Sequence, residues 1–194
     1  FIARYDSNGN FAWAKKFPQN NTSNRIMKVS SCKNEGFYAG GFFRGTITIG
    51  SQTLTSLGQD DIFLFKTDNS GDVQWVRQGG GTNYDRGHSI ASDGSGNVYI
   101  TGYITNAVKF DSTATAVFDS RTLTSANSSC DVFVAKYGSD GKLAWVDKKG
   151  GNYSDIANYI ATDGSSVHVM GNFTYQMIWK NDTLRSSTGS NLDL

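Results

Sequence analysis

Proline is almost missing from this 194-residue chain, with one residue against 22 glycines. That excludes a proline-rich linker, and without a strict three-residue period the glycines do not make a collagen helix. Charge is also scarce: Asp, Glu, Lys and Arg make up 18%, where about 25% is usual, and 18 basic against 17 acidic residues leave a net charge of +1. Such a balance gives no electrostatic footprint for nucleic acid or an acidic membrane surface. Long apolar runs are lacking as well. The longest without glycine are four residues, as at 62–65 and 132–135, whereas a membrane helix needs about 20 and a signal-peptide core about 7 to 15. The chain opens on Phe1 rather than Met, so its natural N-terminus is expected to lie elsewhere. No window carries a helical apolar stripe. What replaces the missing residues is Gly, Ser, Thr and Asn, the residues of turns and strand margins.

A repeat organises what is present. FIARYDSNGNFAWAKKF (1–17) returns as FLFKTDNSGDVQWVRQG (63–79) and FVAKYGSDGKLAWVDKK (133–149). RIMKVSSCKNEGFYAGGF (25–42) matches RGHSIASDGSGNVYITGY (86–103) and IANYIATDGSSVHVMGNF (156–173). TLTS at 53–56 and 122–125 answers TLRS at 183–186. Trp13, Trp75 and Trp145 mark a period of roughly 60 to 70 residues. Alternation such as Phe63, Phe65 and Val73, Trp75 has the period of two of a pleated strand, and SNGN, NSGD, SDGK and DGSGN are short turns rich in residues that tolerate positive φ. Each unit therefore reads as strand, tight turn, strand, loop, strand, tight turn, strand, and the fold class is all-β.

A four-stranded unit at this spacing is the pattern of a β-propeller blade. Through DVFVAKYGSDGKLAWV (131–146), SIASDGSGNVYITGY (89–103) and TLTS (122–125), the chain resembles the seven-bladed β-propeller repeat (SBBP) family, and its strand order is similar to that of NHL-type propellers. The resemblance implies an innermost strand like SIASD, a second like NVYITGY and an outer pair. On that order residues 1–18 form an outer half-blade, 24–79 and 85–149 two blades, and 155–194 an inner half-blade with its loop. Asp193 and Leu194 align with Asp61 and Ile62, and Phe1 with Phe63. Three blade equivalents are fewer than the roughly 4 to 8 of a closed ring, so remaining blades or other chains are expected to complete it. The resemblance also implies a secreted or cell-surface bacterial protein.

In an up-and-down blade the short turns share one face, and the longer segments 79–89, 104–129 and 150–159 share the other. Long loops on a rigid scaffold are where recognition sits. The candidate binding residues there are Tyr84, Asp85 and His88, with their counterparts Tyr153, Asp155 and Asn158. Tyr and Asp beside Gly-rich backbone can hold a sugar or peptide. Equally, each Asp can accept backbone N–H bonds and each Tyr can pack between blades, and recurrence in successive units favours that structural role. Residues 111–121 are an insertion peculiar to the middle unit, and Asp111-Ser112-Thr113 and Asp182-Thr183-Leu184 resemble an acceptor pattern for bacterial O-glycans.

Catalytic and metal chemistry find little support. His88 and His168 lie in different units, and no Cys/His metal spacing, phosphate loop or nucleophile elbow occurs. Asp68, Ser70 and Asp72 have the alternating oxygens of a calcium loop, but Gly takes the fourth position and no Glu follows at the twelfth. Cys32 and Cys130 occupy opposite ends of the blade in the repeat alignment, farther apart than the roughly 7 Å a disulfide spans between Cα atoms, so two free thiols are expected. The leading reading is a non-catalytic module, without cofactor, that binds protein or carbohydrate at the cell surface. The rival is the propeller part of a polysaccharide-degrading enzyme whose site other blades complete.

Overall fold

The computed structural model describes residues 1–17, 24–32, 35–110 and 121–186, and every regular element among them is a β-strand. The first unit opens with β1 (Ile2–Tyr5) and β2 (Phe11–Lys15). Next come β3 (Asn24–Cys32), β4 (Gly36–Phe43), β5 (Thr46–Ile49), β6 (Gln52–Thr55), β7 (Asp61–Thr67) and β8 (Val73–Gly81). The same six-strand pattern repeats as β9 (Arg86–Ser92), β10 (Val98–Thr105), β11 (Ala107–Phe110), β12 (Arg121–Thr124), β13 (Cys130–Tyr137) and β14 (Leu143–Lys149). It then begins again with β15 (Ile156–Thr162), β16 (Val167–Asn172), β17 (Gln176–Trp179) and β18 (Asp182–Arg185).

All pairings between strands are antiparallel, in the orders β3-β4-β7-β8 and β9-β10-β13-β14. Each sheet has a central strand buried on both sides: every residue of β7 (DIFLFKT) is buried, which explains its continuous apolar run where a half-exposed strand would alternate. The sheets stand side by side and none closes on itself. Ile2, Phe17, Ala39, Phe43, Phe63, Phe65 and Val76 fill one layer between them. Tyr38, Leu64, Trp75, Ile90, Ile100, Phe133 and Tyr137 fill the next. Full burial of a Phe such as Phe63 contributes about 2 to 3 kcal/mol.

The strands β3, β9 and β15, which begin successive units, are joined by hydrogen bonds across units. The Ser30 and Ser92 hydroxyls meet at 2.8 Å between β3 and β9. His88 Nδ1 lies 3.0 Å from the Ala157 carbonyl between β9 and β15, which requires the proton to sit on Nδ1. The turns that begin at Asp6, Asp68, Asp93 and Asp163 are held by that aspartate: Asp68 Oδ1 accepts the N–H groups of Ser70 and Asp72, both at 2.9 Å, and Gly71 supplies the positive φ of 77°. In the calcium-like string the Asp68 carboxylate is thus spent on its own turn, while Asp72 Oδ1 pairs with Lys15 Nζ at 2.7 Å. Cys32 is a buried free thiol beside Tyr38, and Cys130 a half-buried free thiol beside Thr105, as expected.

The structure differs from the sequence reading in the connection between the second and third strands. Residues 104–129, expected as a long loop, contain the β11–β12 hairpin, and β11 adds to the outer edge of the preceding sheet through Val108↔Gly81 and Phe110↔Gly79. Strands of four residues, interrupted by residues 111–120, carry too little alternation to be recognised. The TLTS block is the return strand of this hairpin, and its serine closes the base: Ser125 Oγ accepts the Asn106 N–H at 2.7 Å and Ser125 N–H donates to the Asn106 carbonyl at 3.0 Å. Residues 111–120, with the sequence Asp111-Ser112-Thr113, and residues 187–194, with the aligned Asp193 and Leu194, lie outside the described residues.

Candidate functional site

The long-connection face is built on two buried carboxylates. Asp85, closed to solvent, accepts the Gly81 N–H at 2.8 Å and the Thr105 N–H at 2.8 Å, so it ties the end of β8 to the end of β10. Asp155 repeats this with Gly151 at 2.7 Å and Thr174 at 3.2 Å. Burial pushes Asp85 up to about 7 and Asp155 up to about 6, against the pull of those backbone donors. Both side chains are enclosed and anchor the loops through backbone donors.

The tyrosines one and two residues before these anchors behave differently. Tyr84 is 43% exposed and Tyr153 49% exposed, so neither packs between sheets. Around Tyr84 stand Arg44 and Arg86, both held by Asp60: Arg44 Nε donates to Oδ1 at 3.0 Å and Arg86 Nε to Oδ2 at 2.7 Å. The Arg44 guanidinium lies 5.3 Å from the Tyr84 ring centre and the Arg86 guanidinium 4.6 Å from that of Phe42. Two guanidinium groups thus share one carboxylate. In the next unit Cys130 replaces Asp60 and Ile156 replaces Arg86, and the ion network is gone.

Tyr153 instead faces Tyr175, with ring centres 4.4 Å apart and planes tilted by 38°. The pair borders a cleft of about 380 Å3 that also touches Asn152, Gln176, Arg185 and Ser186. His88 and Asn158 belong to neither cluster. His88 packs edge-on against Tyr103 at 5.4 Å, and its burial lowers its pKa. Asn158 Nδ2 donates to Asn172 Oδ1 at 3.0 Å. The six sequence candidates therefore divide into two exposed aromatics, two buried anchors and two packing residues.

Sequence reasoning missed Tyr175 and Arg185. The signal lay in the repeat alignment: Tyr175 takes the slot of Gly45 and Asn106, and Arg185 that of Thr55 and Thr124. Both depart from their repeat at neighbouring positions.

Residues 74–108 match the family model of the SBBP beta-propeller repeat. The match runs from β8 through β9 and β10 into β11, the segment in which Asp85 anchors the loops. No curated protein sequence matches the chain.

Proposed function

We propose that this chain is a non-catalytic β-propeller interaction module that binds protein or glycan through its long-connection face, in a bacterial protein exported to the cell surface or beyond. The carrying observation is the pair of solvent-facing tyrosines, Tyr84 and Tyr153, each mounted next to a buried aspartate that fixes its loop to two strands. A rigid base with exposed aromatics is the arrangement of a recognition surface. The rival enzyme reading needs carboxylates that reach substrate, and Asp85 and Asp155 are enclosed and committed to backbone donors. Further units are part of the proposal. Among the described residues β16 pairs only with β15, whereas β4 and β10 in the same position each pair with a third strand. Tyr159 and Met170, 59% and 63% exposed, are the surface an adjoining unit covers.

Tyr84→Ala and Tyr153→Ala test the binding face. The expected result is loss of capture on glycan and peptide arrays with stability changed by less than about 0.5 kcal/mol, as for exposed positions. Ligand-induced hydrogen-exchange protection confined to the turns at 68–72 and 138–142 would refute the choice of face.

A further inference from the structure

We infer that the cleft between Tyr153, Tyr175 and Arg185 is a binding site for a carboxylated saccharide, a uronate-bearing glycan. The inference rests on the reading of the long-connection face as a recognition surface and assigns the ligand chemistry.

Three adjacent departures from the repeat build the cleft. The slot that begins the inserted hairpin requires a left-handed backbone, and the first two units fill it with Gly45 at φ 76° and Asn106 at φ 62°, residues suited to it. The third places Tyr175 there at φ 60°, a conformation that is a steric outlier for a bulky side chain. The strain is deepened by a three-residue turn in which the Gln176 N–H donates to the Thr174 carbonyl at 2.7 Å. No core packing compensates, because the Tyr175 ring is 39% exposed and rests on the exposed Tyr153. Strain held at one position without a packing return is the mark of a functional site.

The neighbouring hydroxyl shows the same change. Ser56 Oγ and Ser125 Oγ accept the N–H of Gly45 and Asn106 at 2.9 and 2.7 Å. Ser186, in their place, keeps the backbone bond to the Tyr175 carbonyl at 2.9 Å, yet its Oγ is buried with no partner among the described residues. That leaves an unmet hydrogen-bonding group just beneath the cleft lining, a local departure that the first two units do not share.

Charge sets the class. Arg185 stands where the other units have threonine, donates one bond to Gln176 Oε1 at 3.1 Å, and has no carboxylate partner among the described residues. The cleft lining contains no Asp or Glu. The guanidinium fork matches a carboxylate with two parallel bonds, the tyrosine faces accept the C–H face of a pyranose, and Asn152 and Gln176 offer amides to ring hydroxyls.

Calorimetric titration with tri-galacturonic acid and with neutral galactotriose tests this. The expected result is binding of the acidic trimer, weakened about tenfold or more by Arg185→Gln and by Tyr153→Ala. Tyr175→Gly should abolish binding without lowering the melting temperature, since glycine relieves the strained slot. A merely structural tyrosine would instead melt lower. Equal binding of both trimers, unaffected by Arg185→Gln, overturns the acidic class while leaving a glycan-binding face intact. Saccharide binding that survives both tyrosine substitutions overturns the site. Binding of an acidic peptide, with neither trimer bound, overturns the saccharide and retains the module. Failure of the face itself reads differently, as protection on the tight-turn side.

Discussion

At the residue scale the informative comparison is Asp61 with Asp131, the first or second residue of equivalent strands. Lys148 Nζ lies 2.5 Å from Asp131 Oδ2, whereas among the described residues Asp61 meets only the Gln78 amide at 2.7 Å and the Leu57 N–H at 3.2 Å, and its Oδ1 is buried without a partner there. Burial accordingly pushes Asp61 up to about 6. Asp61, Asp85 and Asp155 all titrate higher in the folded chain than in the unfolded one, where an aspartate ionises near 3.9. Between about pH 4 and 7 the folded state therefore holds more protons, and stability from these groups falls as pH rises. The turn aspartates Asp93, Asp140 and Asp163 are held below the usual value by hydrogen bonds, so their contribution is lost on acidification below about 4. Thermal melts across pH 3 to 8 should show a maximum near pH 4 to 5, and Asp61→Asn should flatten the decline above it. Gln78→Lys supplies the missing counter-charge and should raise stability at pH 7 by about 1 to 3 kcal/mol in chemical denaturation. None of this was legible in the sequence, because Gln78 and Lys148 align as ordinary polar residues until the buried carboxylate opposite them is seen.

Among the elements, two of the three repeat tryptophans donate their indole N–H to a tight turn of the next unit. Trp13 reaches the Asn69 carbonyl at 3.1 Å and Trp75 the Ser139 carbonyl at 3.0 Å. The Trp75 ring lies against Gly141, with the Arg77 guanidinium 5.2 Å from the ring centre and its Nε donating to the Gly141 carbonyl at 2.6 Å. A methyl on Gly141, which has φ 77°, would come within 2.8 Å of the indole. Gly141→Ala should therefore cost more than about 1 to 2 kcal/mol, whereas Gly9→Ala, at φ 85° with nothing near the added methyl, should cost only that left-handed backbone penalty. Guanidinium denaturation of the two alanine variants makes the comparison. The Trp period was plain in the sequence, but its role across units was not, since a repeat alignment shows what recurs and not what each copy touches. The hairpins β5–β6, β11–β12 and β17–β18 escaped for the opposite reason: each strand has only four residues, too few for a pattern. Val108→Asp, at a fully buried position of β11, should unseat the hairpin from β8 and expose Gly79 to Gly81 to rapid amide exchange.

Across the whole molecule the all-β architecture, the strand order within each sheet and the two free thiols were readable, because length, period and turn chemistry all pointed the same way. The surroundings of the candidate residues were readable only in part: Tyr84 and Tyr153 are exposed and Asp85 and Asp155 are buried anchors, but Tyr175 stands in a slot that reads as a turn. Protection against amide exchange should be greatest in β7, β10 and β13, enclosed on both flanks, and least in β1 and β16, each paired on a single side among the described residues. The tryptophan ties and the seating of the β11–β12 hairpin also point one way along the chain. Trp13 waits for residue 69, Trp75 waits for residue 139, and β8 waits for β11 to cover its margin. A polypeptide leaving the ribosome from its N-terminus would therefore hold each completed sheet only provisionally until its successor emerges, so assembly proceeds like a zip whose last closed tooth is always the loosest.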